Sequence, residues 1–158
     1  PRDAVPVPVP PIAEIPAVPY GTWDVLRHGR DCAILAVGVM CAPAMEAAAR
    51  LAEEGLDVTV VNCRFLKPMD LVTLEALVKD HRLLVTVEDG TVVNGFGAAL
   101  SVHVGEVAPD VRVGVLGAAD RTWEHASRAA QLAEAGLDAE GIANKVRQLA
   151  GHESLSSA

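Results

Sequence analysis

Glu88 and Asp89 stand side by side behind the apolar run Leu83-Leu84-Val85-Thr86-Val87, and a pair of carboxylates is a common beginning of acid–base chemistry. Adjacent side chains on an extended strand point to opposite faces, so these two do not form an acid–base pair. The structural alternative is that acids behind a strand solvate a turn or cap the next helix. A few residues on, the turn Asn94-Gly95-Phe96-Gly97 opens a segment where backbone N–H groups can face an anion at a helix N-terminus. It lacks the third glycine of a dinucleotide fingerprint, and no GKS or GKT follows. Arg64 and Lys67 form a second candidate: a basic pair behind a strand can meet an anion, or bridge to neighbouring acids or another domain. Of the histidines, His103 falls on the inner stripe of a helix and reads as a packed residue. His81 ends a helix, where partial positive charge suits the dipole. His125, beside Glu124 and near Arg121, is best placed to face a neighbour but has no Ser, Cys or Asp partner at useful spacing. His28 and His152 read as exposed. Cys32, Cys41 and Cys63 lack CxxC spacing and read as inert core thiols of a reducing compartment. With no triad, metal cluster or GxSxG elbow, catalytic, cofactor and metal residues are all assigned as none.

The elements that must position these residues follow from periodicity. Tyr20 to Leu26 reads as a short strand, with Trp23 among the exposed residues, as is Trp123 later in the chain. Cys32 to Val37, Val58 to Asn62, Leu83 to Val87 and Val111 to Leu116 are apolar, β-branched runs of the fully buried type. Between them lie helical patterns: Met45, Ala48, Ala49 and Ala52, ended by Gly55; Leu71, Leu74, Leu77 and Val78 behind the cap Asp70; and Phe96, Leu100, Val104 and Val107. A weakly apolar helix is predicted over Glu124 to Ala135. A last one, capped by Asp138, carries Ile142, Val146 and Leu149. Strands alternating with helices, joined by right-handed crossovers, predict an α/β fold with three layers, α/β/α. The five-stranded sheet is mostly parallel, with the first strand antiparallel.

Seven of the ten prolines (Pro1, Pro6, Pro8, Pro10, Pro11, Pro16 and Pro19) fall in residues 1–19, which predicts a stiff, polyproline-like interdomain linker and a chain that is one part of a longer protein. Residues 20–150 form the domain, and from Gly151 a polar, disordered tail is expected. The 158 residues carry a net charge of −8, which disfavours nucleic acid as a partner. Apolar residues make up 51% and aromatics 3%, so the core is Ala, Val and Leu. No apolar run approaches the ~20 residues of a membrane span, and a cytoplasmic location is expected.

Taken together, these motifs are more specific than any one of them. Asp31 to Gly38 with Ala44-Met45-Glu46-Ala47-Ala48, Val60 to Asp70 (an R-F-x-K-P-x-D pattern), Leu84 to Asp89 and Gly95-Phe96-Gly97 resemble the C-terminal domain of the transketolase-like thiamine diphosphate enzymes. Within that superfamily they are most similar to 1-deoxy-D-xylulose-5-phosphate synthases. Asn94 departs from the pattern, standing where that family usually has glycine. The ending Glu124-His125-Ala126 and Gly136 to Ile142 is similar too. The resemblance implies a domain that packs on preceding catalytic domains of the same chain and supports a homodimer. Those domains hold thiamine diphosphate and Mg²⁺ and join pyruvate to glyceraldehyde 3-phosphate with loss of CO2. It also implies that Arg2 corresponds to an arginine that reaches the substrate phosphate in the full-length protein, although Asp3 replaces the glycine that follows it in the family. The other readings are the C-terminal domain of a 2-oxoacid dehydrogenase β-subunit or of a transketolase and, in a different class, a free-standing anion-binding domain that uses the Gly95 loop.

Overall fold

The structure, a computed structural model, describes residues 11–156. Arg2 and most of the proline-rich segment lie outside them. A short 3-10 turn, Ile12–Glu14, precedes the domain. Five strands follow: β1 (Asp24–Arg27), β2 (Cys32–Ala36), β3 (Val58–Asn62), β4 (Leu83–Thr91) and β5 (Arg112–Ala118). They form one sheet in the order β1-β3-β2-β4-β5, with β1 antiparallel to β3 and the other neighbours parallel. The helices are α1 (Cys41–Glu53), α2 (Leu71–Asp80), α3 (Phe96–Val107), α4 (Arg128–Glu134) and α5 (Ala139–Ser156).

The alternation of side chains along buried strands builds two cores, one on each sheet face. Cys32, Ile34 and Ala36 of β2, Val58 and Val60 of β3 and Leu83, Val85 and Val87 of β4 pack with α1 and α5. Ala33 and Leu35, Val61, and Leu84 point the other way, toward α2 and α3. Those are the three expected layers.

Several boundaries differ from the sequence reading, each for a local reason. β4 runs four residues past Val87 because Thr91 still pairs with Ala118 across a register shift, so both acids lie within the strand. The buried face of α1 is Ala44, Ala47, Ala48 and Leu51, not the stripe through Ala49 and Ala52, which are exposed. A helix this rich in alanine offers little apolar contrast, and the fully buried Leu51, with Met45 partly buried beside the same core, marks the face. Its C-terminus closes as predicted at Gly55 (φ 89°), where Leu56 N–H donates to Leu51 O and Gly55 N–H to Ala52 O. α4 begins only at Arg128, where the Ser127 hydroxyl accepts from Ala130 N–H. α5 continues to Ser156, past Gly151, because one glycine weakens a helix without ending it.

Candidate functional site

β4 carries the two acids to the carboxyl end of the sheet, where parallel α/β sheets usually place their chemistry. The pleat sends them apart, as adjacency requires. Glu88 shares the face of Leu84 and Thr86 and looks toward α3; Asp89 shares the face of Val85 and Val87 and looks toward α4.

Glu88 is only 8% exposed, and its carboxylate accepts from Phe96 N–H through Oε2 and from Gly97 N–H through Oε1, each at 2.9 Å. These are orphan donors of the first turn of α3, a position where negative charge is favoured by the helix dipole. Glycine is required around this clamp. A Cβ on Gly95 would lie 2.4 Å from Thr91 O and 2.6 Å from Glu88 Oε1, and one on Gly97 would lie 2.4 Å from Thr86 Oγ1. Asn94 sits at φ 58°, the left-handed region that glycine and asparagine tolerate, which explains how asparagine stands where the family usually has glycine. The buried Thr86 hydroxyl beneath has no hydrogen-bond partner among the described residues. The turn that reads as an anion cradle is therefore already filled, by the chain's own carboxylate.

Asp89 pairs with the Arg128 guanidinium, Nη1 donating to Oδ1 at 3.1 Å and Nη2 to Oδ2. The pair stands at one side of an open groove of about 250 Å³ between β5 and α4, with Trp123 and Leu132 on its walls.

Arg64 and Lys67 do not converge on an anion. Arg64 is turned onto the chain where it enters the sheet: Nε and Nη2 donate to Thr22 O and Trp23 O, both at 3.2 Å, and Nη1 lies 3.5 Å from Asp24 Oδ2. Lys67 is exposed and precedes a cis peptide bond to Pro68. The other residues of the same motif grip the same segment. Phe65 O accepts from Trp23 Nε1–H at 2.8 Å, and the Phe65 ring meets Tyr20 edge-on at 5.5 Å. Asp70 caps α2 by accepting from Thr73 N–H (3.0 Å) and also accepts from Trp23 N–H at 2.7 Å. Burial works to raise the Asp70 carboxyl, but the bonds from Thr73 and Trp23 together hold it below the usual carboxylate range. Trp23, expected at the surface, is 5% exposed and stacks edge-on against Phe96 at 5.9 Å. Only the cap at Asp70 has a sequence signal. The long-range bonds to residues 20–24 have none, since they cross more than 40 positions.

His81 stands at the end of α2 as expected and lies inside the protein, where Nδ1–H donates to Leu77 O at 3.1 Å and Nε2 lies 3.0 Å from Thr59 Oγ1. His103 is half-buried, whereas His28 and His125 are exposed; the side chain of His152 lies outside the described residues. The three cysteines are free thiols, Cys32 and Cys63 buried and Cys41 partly so, and burial pushes the Cys63 thiol far above its ordinary range. Among the described residues, no three His, Cys, Asp or Glu side chains gather in a way that holds a metal ion, and no helix is long and apolar enough to cross a membrane.

Comparison with known proteins agrees with this architecture. Residues 21–142 match the family described as "Transketolase, C-terminal domain". The chain is 40% identical over 137 residues to a 1-deoxy-D-xylulose-5-phosphate synthase of Thermomicrobium roseum, an alignment covering 87% of this chain and 22% of that protein. With the synthase of Aquifex aeolicus the identity is 43% over 130 residues, covering 82% and 21%. The chain thus spans about a fifth of the length of the curated relatives it matches. A solved structure, "Split gene transketolase, inactive beta4 tetramer", superposes with a TM-score of 0.82 at 33% identity, over 93% of this chain and 47% of that one. With a family match over residues 21–142, relatives about 40% identical across most of its length and a shared fold, this chain belongs to the transketolase C-terminal domain family.

Proposed function

We propose that this chain serves as the C-terminal domain of a thiamine-diphosphate-dependent 1-deoxy-D-xylulose-5-phosphate synthase, a cytoplasmic homodimer, and that its own part is structural. The catalytic domains that precede it in the same polypeptide are its partners, and they carry out the decarboxylation of pyruvate and the carboligation to glyceraldehyde 3-phosphate. We assign residues 1–19 as the tether to them, and to Arg2 the role of contacting the substrate phosphate in the full-length protein. The observation that carries this reading is identity of about 40% to named synthases across most of the chain.

The geometry supports the non-catalytic part. Thiamine diphosphate and Mg²⁺ do not fit the described residues. The N–H groups best placed for a diphosphate are taken by Glu88, Asp89 is paired with Arg128, and the two adjacent acids point to opposite faces. The clamp also disfavours a free-standing anion-binding domain, since an anion at the Gly95 loop would have to displace a carboxylate. The R-F-x-K-P-x-D motif gains a physical role instead: it fixes the angle at which the tether leaves the sheet.

The test is a chimera. This chain replaces the corresponding C-terminal region of the Aquifex aeolicus synthase, and formation of 1-deoxyxylulose 5-phosphate is measured. Activity well above the truncated synthase is expected, and activity no better than the truncation refutes the assignment. Saturable binding of thiamine diphosphate by this chain alone would refute the structural role.

A further inference from the structure

We propose that Asn94 is a site of spontaneous covalent modification, at which the side-chain amide is lost and the isoaspartyl product loosens the start of α3. Asparagine is a chemically labile residue, and most so before glycine, which without a Cβ leaves its own backbone nitrogen open to reaction. Of the three asparagines only Asn94 is followed by glycine; Asn62 precedes Cys63 and Asn144 precedes Lys145. The fold itself favours this pair. The left-handed backbone at position 94 (φ 58°) suits glycine or asparagine, and position 95 admits no side chain, since a Cβ would stand 2.4 Å from Thr91 O.

The reacting groups are unengaged. Asn94 is exposed, and neither its carboxamide nor the Gly95 N–H has a hydrogen-bond partner among the described residues. The Asn144 carboxamide, by contrast, accepts from Arg147 at 2.6 Å, and Asn62 is held in β3. The deprotonated Gly95 nitrogen attacks Asn94 Cγ, the bond from Cγ to the side-chain nitrogen breaks, and ammonia leaves with the proton. The cyclic imide so formed takes up a water and opens at either carbonyl, to aspartate or to isoaspartate. Cyclisation needs rotation of the chain at Asn94, and both flanks restrain it: Val93 N–H donates to Thr91 Oγ1 at 3.2 Å, and the N–H groups of Phe96 and Gly97 are clamped on Glu88. The two products differ in consequence. Aspartate keeps the backbone and tolerates the left-handed region. Isoaspartate adds a methylene to the main chain beside Gly95, where even a Cβ would lie 2.6 Å from Glu88 Oε1, so the clamp must open.

The experiment is ageing of this chain in warm neutral buffer, with each asparagine followed by peptide mass spectrometry and isoaspartate told from aspartate by fragmentation. Asn94 should convert at least roughly tenfold faster than Asn62 or Asn144, with ammonia released in equal amount. The isoaspartyl chain, separated by ion exchange, should unfold at a lower temperature and lose exchange protection at Phe96 and Gly97. Glu88→Ala should convert at least roughly threefold faster than wild type, because its clamp is gone. Asn94→Gly should show no change at this position and keep its thermal midpoint on ageing. Conversion of Asn94 no faster than that of the other two asparagines overturns the proposal, as does isoaspartate that maps to Asp89-Gly90 instead. An isoaspartyl chain with Phe96 and Gly97 still protected overturns the loosening of α3, and this arm needs only the wild-type chain.

Discussion

Replacing Glu88 with alanine removes a carboxylate that satisfies two buried donors at once. Each N–H···O contact is 2.9 Å long, and the acceptor is charged and nearly out of water. Hydrogen bonds to charged groups contribute about 1.5–3 kcal/mol each, and an orphaned buried donor costs ~1–3 kcal/mol. These are two accounts of one loss and do not add. The space left by the side chain admits water to at least one of the N–H groups, which lowers the total. We therefore expect Glu88→Ala to cost about 2–4 kcal/mol. For a chain of this length that corresponds to a thermal midpoint lower by roughly 5–15 °C. Glu88→Gln should fall between wild type and Glu88→Ala, because its single carbonyl oxygen serves one N–H while its amide nitrogen faces the other.

The measurement is thermal unfolding with hydrogen exchange resolved at single amides. Phe96 and Gly97 should lose protection in Glu88→Ala more than amides in β2, the most buried strand. A second arm tests the electrostatic logic directly. If the α3 N-terminus is an anion site occupied internally, then formate or sulfate should stabilise Glu88→Ala and leave the wild type unchanged at equal ionic strength. A Glu88→Ala midpoint within about 0.5 kcal/mol of wild type, the range of an unremarkable surface change, would refute the reasoning. So would wild type and variant gaining equally from the anion.

Two further predictions concern the same end of the sheet. Asp70→Ala should cost about 2–4 kcal/mol, combining a lost helix cap with a buried Trp23 N–H left without its charged acceptor, and tryptophan fluorescence should report the loosened Trp23. Because the folded carboxyl is held below its ordinary value, the unfolded chain binds the extra proton. The stabilisation is thus present above about pH 4 and is lost as pH falls through the lower folded value; Asp70→Asn should flatten that acid limb of the stability curve. At position 94 the left-handed backbone makes Asn94→Gly neutral or slightly stabilising, whereas Asn94→Val should cost roughly 1–2 kcal/mol in chemical denaturation.

What the sequence shows about this fold depends on whether a signal is local. The strands of β2 and β3 are legible because a run such as Cys32 to Ala36 is buried on both faces and reads as continuous apolar residues. The caps at Gly55, Asp70 and Asp138 are legible for the same reason, since donor and acceptor lie within a few positions. Adjacency alone shows that Glu88 and Asp89 diverge. It does not show where each goes, and the Asp89–Arg128 pair closes over 39 positions. Trp23 is the clearest miss. It lies in a short edge segment with polar neighbours, and its burial comes from Asp70, Phe65 and Phe96, partners that no periodicity links to it.

These long-range contacts also change what the motifs mean. Residues written as R-F-x-K-P-x-D at the carboxyl end of a strand look like equipment for a ligand, yet Arg64, Phe65 and Asp70 spend their polar groups on residues 22–24 of the same chain. Glu88 and the Gly95 turn look like half of an anion site, yet each supplies the other's missing half. In both cases groups suited to binding are used within the chain, where they hold residues 22–24 and the start of α3 in place. Polar groups satisfied in this way make those two points resist local opening.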